Sequence, residues 1–520
     1  MSLKILFVSS EVVPYSKTGG LADVAGALPK ALARMGHDVI VATPKYASVT
    51  SEKWTLETAI EDVAIEIGGV RRAFAVRRTS LPGSDVPVLF IEHNDFFDRK
   101  ELYSVNGIDY PDNAERMSFF SMASLEAVRK LEWKPDVIHT NDWHTALVPT
   151  YLKTILATDA FFAGAATVYT VHNMGYQGNF PRDKFPALGL GWEHYSSERL
   201  EYYGSFNLMK AGLLDADIIT TVSPTYAKEI QTPEMSHGMD GVLGLRTKDL
   251  YGVLNGVDYD VWSPEKDTLI ARRFSAADVL AGKKENKTAL LKRVALPDRG
   301  APVIGMISRL ADQKGFDILA EAMPALLKMD LQFVILGTGE PKYHDLLTRA
   351  QTESDGKVSV TLGFDNTLAH QIEAGSDMFL MPSRYEPCGL NQLYSLRYGT
   401  VPIVRKTGGL ADSIVNVTDD GIANGKSTGF VFGPYTSEAL LAAVRKAVKT
   451  YDDRKAWEKL MKNDMAQDFS WDAAAKKYVS LYEKAAAAKR GSAPTPSAKP
   501  AAKPAAPRAV AAKRSRKKEA

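Results

Sequence analysis

The 520-residue chain predicts an α/β protein of two doubly wound domains. Three features carry that expectation. Short apolar runs rich in Val, Ile and Leu, without strict alternation, read as strands buried on both faces of a parallel sheet. Helical stretches lie between many of them, which is the βαβ pattern. One seven-residue string, Lys17-Thr-Gly-Gly-Leu-Ala-Asp23, recurs letter for letter as Lys406-Thr-Gly-Gly-Leu-Ala-Asp412, so each half places a glycine turn between a strand and a helix.

The first strand is expected over residues 4–10. Its run Ile5-Leu6-Phe7-Val8 is too short for a secretory h-region. A helix over 21–35 follows, then strands over 38–43, 86–93, 135–142, 166–172 and 216–223. Turn punctuation at Asn255-Gly256 and Ser263-Pro264 marks a boundary near 245–265. It divides residues 1–250 from 251–462. In the second half, strands are expected over 302–308, 331–337, 357–363, 377–383 and 401–405, with a helix over 317–329. Trp471, Ala475, Tyr478 and Leu481 recur at helical spacing, so a helix is expected over 471–484. Residues 485–520 hold fourteen Ala, five Pro and no aromatic residue, a composition that predicts a disordered basic extension.

Composition excludes several classes. Hydrophobic residues make up 45% and charged residues 24%, which excludes wholesale disorder. The single Cys388 cannot form an internal disulfide and fits a reducing compartment. No stretch reaches the ~18 apolar residues of a membrane span. A cytoplasmic protein without a membrane partner is expected. The net charge of +2 conceals an asymmetry: residues 485–520 carry ten Lys/Arg against one Glu, leaving the other 484 residues at −7. A body of that sign is a poor binder of nucleic acid, so an anionic ligand must be held by local devices.

The local devices are legible. In Lys17-Thr-Gly-Gly, paired glycines admit a close ligand, the following helix offers free N–H groups to an anion, and Lys17 adds a mobile charge. The string is neither a Walker loop nor a G-x-G-x-x-G fingerprint, which disfavours NAD. In Ser308-Arg309-x4-Lys314-Gly315, two cations five residues apart flank a turn; arginine supplies a planar fork and lysine a point charge for phosphate oxygens. Glu386, in Ser383-Arg-Tyr-Glu-Pro-Cys-Gly-Leu390, follows a strand and precedes a helix, a place suited to binding sugar hydroxyls. Cys388 reads first as a small buried thiol. Asp142 and His172 sit at strand ends on the same rim. His139, Asp142 and His144 lack a standard zinc spacing, so no metal is expected. The Asp-x-Asp strings at 215–217 and 258–260 read as decoys, one leading into a strand and one in the linker.

With these residues in view, the chain resembles the bacterial glycogen synthase and plant starch synthase family of retaining glycosyltransferases. The motifs that carry the resemblance are Lys17-Thr-Gly-Gly-Leu-Ala-Asp23, Asn141-Asp142-Trp143-His144, Thr170-Val-His172-Asn173, Asn255-Gly256-Val257-Asp258, Ser308-Arg309-x4-Lys314-Gly315 and Glu386-Pro387-Cys388-Gly389-Leu390. They span roughly residues 1–484. The resemblance implies two Rossmann-like domains facing across a cleft, the GT-B type, with a C-terminal helix at about 463–484 crossing back to the first domain. It implies that Lys17 and Gly20 hold the nucleotide sugar beside Asp23, that Arg309 and Lys314 grip the diphosphate, and that Glu386 and the Cys388, Gly389 and Leu390 backbone contact glucose. It places Asp142, His172 and Asn255 on the glucose and acceptor side and Tyr103 near the nucleotide base. Asn391 departs from the Thr or Ile usual in the family and is expected to be a tolerated change near the phosphate. Tyr394 stands where sucrose-type transferases carry a second Glu.

The implied reaction moves glucose from ADP-glucose to the non-reducing end of an α-1,4-glucan with retention, without a cofactor. Two rivals make distinct demands. A glucan phosphorylase of similar fold needs pyridoxal phosphate on a lysine and is usually much longer. A glucan-binding protein needs aromatic platforms rather than three diphosphate cations. Another nucleotide-sugar transferase is the remaining alternative, since the residues do not choose ADP over UDP.

Overall fold

The computed structural model describes residues 2–491. The first sheet orders its nine strands Leu250–Gly252, Ile218–Thr221, Ala166–Val171, Val137–Asn141, Lys4–Val8, Asp38–Pro44, Pro87–Glu92, Val70–Ser80 and Glu57–Ile67. Pairing is parallel from the first edge as far as Pro87–Glu92 and antiparallel beyond it. The second sheet is parallel throughout, in the order Val358–Leu362, Gln332–Gly339, Val303–Leu310, Met378–Met381, Val401–Arg405 and Phe430–Phe432. These are the two doubly wound domains the apolar runs predict.

The outer hairpin Glu57–Ile67/Val70–Ser80, which turns at Gly68-Gly69, was not expected. Its strands alternate charged and apolar residues and bury only one face, with Val63, Ile65, Ile67, Phe74 and Val76 inside. A search for continuous apolar runs passes over that pattern.

Helices cover both faces of the first sheet. Asn113–Lys130 and Leu208–Asp215 share a core with one face. Gly20–Arg34 and the last helix, Trp471–Gly491, share a core with the other. The last helix buries Trp471, Tyr478 and Tyr482 in the first domain, and the Tyr482 hydroxyl meets His139 Nδ1 at 2.7 Å. Here the expected boundaries need correction. Residues 454–465 form a helix packed in the second domain's core, so the return begins near residue 466 rather than 463. The last helix continues to Gly491, with Ala485 and Ala486 buried, although a disordered extension was expected from 485. Alanine is the best helix former, and the sheet gives its methyls somewhere to pack. Residues 492–520 lie outside the described residues. No helix among the described residues is long and apolar enough to cross a membrane.

Candidate active site

Parallel strands point their carboxyl ends at one rim, and in open α/β sheets ligands bind there. The rim of the second domain encloses a cavity of about 330 Å³. Arg309 and Lys314 enter it from the end of Val303–Leu310 and the turn that follows. Glu386, Gly389, Leu390 and Asn391 enter from the turn between Met378–Met381 and the helix Asn391–Tyr398. Two cations, a carboxylate and a helix start therefore share one wall.

Within it, Lys314 Nζ donates to Glu386 Oε2 at 2.7 Å, and the Ser383 hydroxyl donates to the same oxygen at 2.9 Å. Glu386 is buried. Cys388 is buried too; burial pushes its thiol up to about 12, so it stays protonated and is no nucleophile. The Asn391 amide donates to Ile307 O, which ties the turn to the neighbouring strand. It lines the cavity, with one amide hydrogen engaged by the backbone.

The rim of the first domain faces this cavity. Lys17 pairs with both oxygens of Asp23, at 2.7 and 2.8 Å. Burial raises the Asp23 carboxyl, and the Lys17 charge opposes the rise. Gly20 opens the helix Gly20–Arg34; a Cβ built there would lie 3.9 Å from Leu390 Cδ1, so the two rims touch at this point. Arg309 Nη1 reaches Tyr176 Oη across the cleft at 3.3 Å.

Asp142 ends the strand Val137–Asn141 with φ 53° and ψ −176°, a strained conformation outside glycine. Its Oδ1 accepts the His172 backbone N–H at 2.7 Å. Burial pushes the Asp142 carboxyl up to about 7; the N–H groups of His172 and Asn173 oppose the rise and the Glu11 charge adds to it. The His172 imidazole is pushed down to about 3 by burial, so it is neutral, and its Nε2 meets Asn141 Oδ1 at 3.0 Å. Asn255 lies in the linker with Oδ1 buried and unpartnered, the kind of orphan acceptor a ligand hydroxyl or water satisfies.

Tyr103 sits in the first domain, away from the second domain's cavity. Its hydroxyl meets Ser10 and Glu11 in the first domain and its ring lies 4.4 Å from that of His144, so it does not line the second domain's cavity. The aromatic that does is Phe364, 89% exposed. Sequence reasoning missed it; the signal was a large apolar residue directly after a strand, beside Gly363. It also missed Glu11, whose carboxylate accepts from Thr18 N, the Thr18 hydroxyl and Gly19 N. Glu11 follows the first strand on the common rim, which was its only signal.

Both His139 ring nitrogens are occupied, by Tyr482 and Thr170. Asp215 and Asp217 accept from Thr150 and Thr167, and Asp260 pairs with Lys266. Among the described residues, no group of three or more His, Cys, Asp or Glu is placed to hold a metal ion.

Comparison with known proteins agrees with this geometry. Residues 4–244 match the starch synthase catalytic domain family, and residues 288–464 match glycosyl transferases group 1. A glycogen synthase of Geotalea uraniireducens is 48% identical over 94% of this chain and 100% of its own length. One from Anaeromyxobacter dehalogenans is 48% identical over 92% of this chain and 99% of its own. The solved catalytic domain of starch synthase IV from Arabidopsis thaliana, bound to ADP and acarbose, superposes with a TM-score of 0.86. It is 34% identical and covers 94% of this chain and 100% of its own. A sucrose-phosphate synthase from Thermosynechococcus elongatus shares the fold, with a TM-score of 0.56, 18% identity and coverage of 94% and 100%. The two-domain cleft, the cation-lined cavity and these identities over nearly the whole chain agree: the chain belongs to the glycogen synthase family of glycosyltransferases.

Proposed function

We propose that the chain uses ADP-glucose as donor and extends the non-reducing end of an α-1,4-glucan, with the second domain holding the nucleotide sugar and the first the acceptor. The observation that carries this reading is the shared wall of the cavity, where Arg309 and Lys314 stand beside Glu386 and the 389–391 turn. Diphosphate needs the first pair, and sugar hydroxyls suit the second group. That the Arabidopsis relative was solved with ADP and acarbose supports the donor and acceptor classes.

In this reading the C1–O bond to the phosphate breaks while C1 bonds the acceptor O4 on the same face. The acceptor proton goes to the departing phosphate oxygen. Negative charge grows on ADP, and Arg309, Lys314, Lys17 and the amides at the helix starts stabilise it; removing one such group costs about 3 kcal/mol of barrier. Lys314 is freed for this task when glucose hydroxyls take over Glu386. Asp142, His172 and Asn255 line the acceptor side, and Phe364 offers its face to the base. No metal is assigned a part. The single buried Cys388 is consistent with a cytoplasmic setting.

The test is nucleotide release from ADP-glucose and UDP-glucose in parallel, with and without glycogen and with and without EDTA. We expect glycogen-dependent ADP release, indifferent to EDTA and falling at least 100-fold in Lys17→Ala. Preference for UDP-glucose would move the donor. A glucosyl-enzyme adduct trapped on Asp142 or Glu386 would overturn the same-face route.

A further inference from the structure

The second copy of the repeated string, residues 406–412, has no part in the reaction described so far. Its contacts parallel those of the first copy at the Thr-Gly step, with the carboxylate supplied from the other domain. Glu229, which belongs to the first domain, accepts from the Thr407 hydroxyl and Gly408 N, at 3.1 Å each. In the first copy Glu11 accepts from the corresponding Thr18 hydroxyl and Gly19 N. The aspartates then diverge. Asp23 pairs with Lys17 of its own copy, whereas Asp412 crosses to the first domain and accepts from Thr225 N and the Thr225 hydroxyl, both at 2.7 Å. Thr225 and Glu229 lie on one short helix, Pro224–Glu229, and Gly408 and Asp412 on another, Gly408–Ser413. Each helix gives one carboxylate to the other, across the domain boundary.

The opposite side of the same loop supports the turn that carries Glu386. Gly409 N donates to Glu386 O at 3.1 Å and to Pro387 O at 3.2 Å. A Cβ on Gly408 would lie 2.0 Å from Glu386 O, and one on Gly409 1.9 Å from Cys388 O. Only glycine permits that approach. One loop therefore ties the first domain to the segment that lines the cavity.

We propose that residues 406–412 form an interdomain clasp that positions the Glu386–Leu390 turn, with Glu229 and Asp412 as positioning residues for glucose transfer. The proposal rests on the assignment of that turn to the donor. Its physical basis is satisfaction of buried groups. Without the Glu229 carboxylate, the buried Thr407 hydroxyl and Gly408 N lose their acceptor, and the loop must rearrange to find another. Glu386 and Cys388 rest on that loop and move with it.

The test uses the full chain. Glu229→Ala, Glu229→Gln, Thr225→Val and Glu386→Gln are compared by steady-state kinetics with ADP-glucose and glycogen, and by amide hydrogen exchange. In Glu229→Ala, we expect exchange at 386–391 and 406–412 to quicken at least tenfold while 166–171 is unchanged. The donor KM should rise at least fivefold, with the glycogen KM within twofold. Glu229→Gln keeps an oxygen acceptor and should stay within threefold of the parent. Thr225→Val removes one donor; it should give the same pattern at smaller size, and it decides the matter if Glu229→Ala does not accumulate. Unchanged exchange at 386–391, or a lowered kcat with an unchanged donor KM, overturns the clasp. Full turnover in Glu386→Gln would instead remove the donor assignment, and the exchange arm would still decide whether the clasp holds the turn.

Discussion

Asp142 concentrates two costs in one residue. Its backbone lies in a region that costs a non-glycine residue about 1–3 kcal/mol. Its carboxyl is pushed up from 3.8 to about 7, mainly by burial. The folded chain therefore binds this proton more tightly than the unfolded chain. Between pH 3.8 and about 7 the native state holds more protons, so stability falls as pH rises through that window, and the cost is complete above it. Asp142→Asn keeps an oxygen for the His172 N–H and removes the buried charge. We expect the variant to melt higher than the parent at pH 8, by up to roughly 4 kcal/mol of stability, and to match it at pH 4. Its transfer rate should fall at least 100-fold. Thermal melts across pH with parallel rate measurements check this, and equal melting at pH 8 would sink the assignment. The place of Asp142 at a strand end was legible in the sequence; its strain was not, because no residue pattern encodes a positive φ at an aspartate. Glu11 was illegible for a related reason. Its meaning comes from the Thr18 and Gly19 amides that fold back onto it, and Ser9-Ser10-Glu11 alone announces nothing.

At the scale of elements, the parallel strands were legible because burial on both faces forces an apolar run. The Glu57–Ile67/Val70–Ser80 hairpin was not, since a half-buried strand shares its alternating pattern with much exposed sequence. The last helix shows a third case. Its Trp471, Ala475, Tyr478 and Leu481 spacing announces a helix, but the alanines beyond 484 read as low complexity until the sheet beneath them is known. Ala485 and Ala486 are 2% and 3% exposed, and both add to the core shared with Gly20–Arg34. A chain ended after residue 484 loses those contacts, and one ended after 491 keeps them. We expect the shorter chain to be less stable by about 1–2 kcal/mol, at roughly 0.8 kcal/mol per buried methyl. Calorimetry of the two chains checks this; identical melting would mean that the final turns add nothing to the first domain.

At the scale of the whole molecule, the cleft depends on two chain crossings that lie side by side. The outward crossing runs through Asn255-Gly256-Val257 and the return through Phe469-Ser470-Trp471. Val257 N donates to Phe469 O at 2.7 Å, and Phe469 N donates to the Tyr259 hydroxyl at 2.9 Å. Just beyond them, the Trp262 ring stacks on those of His370 and Tyr394, with centroids 3.8 and 4.1 Å away, which fixes the outward segment to the second domain. The point of closest approach is Gly256, where a Cβ would lie 2.5 Å from Trp471 Cα and 2.6 Å from its N. That neighbour is backbone and begins a helix buried in the first domain, so it cannot yield cheaply. Gly256→Ala therefore forces the two crossings apart at the place where they meet. Neither sheet contains this contact, so each domain should keep its own core. The rims that meet at Gly20 and Leu390 should separate, and the proposed reaction uses groups from both. We expect kcat/KM for the donor to fall at least tenfold and the radius of gyration from small-angle scattering to increase. Amide exchange in strands 4–8 and 303–310 should be unchanged. Loss of protection in either strand would mean that the crossings hold up a domain core, and an unchanged kcat/KM would mean that the spacing of the rims is set elsewhere.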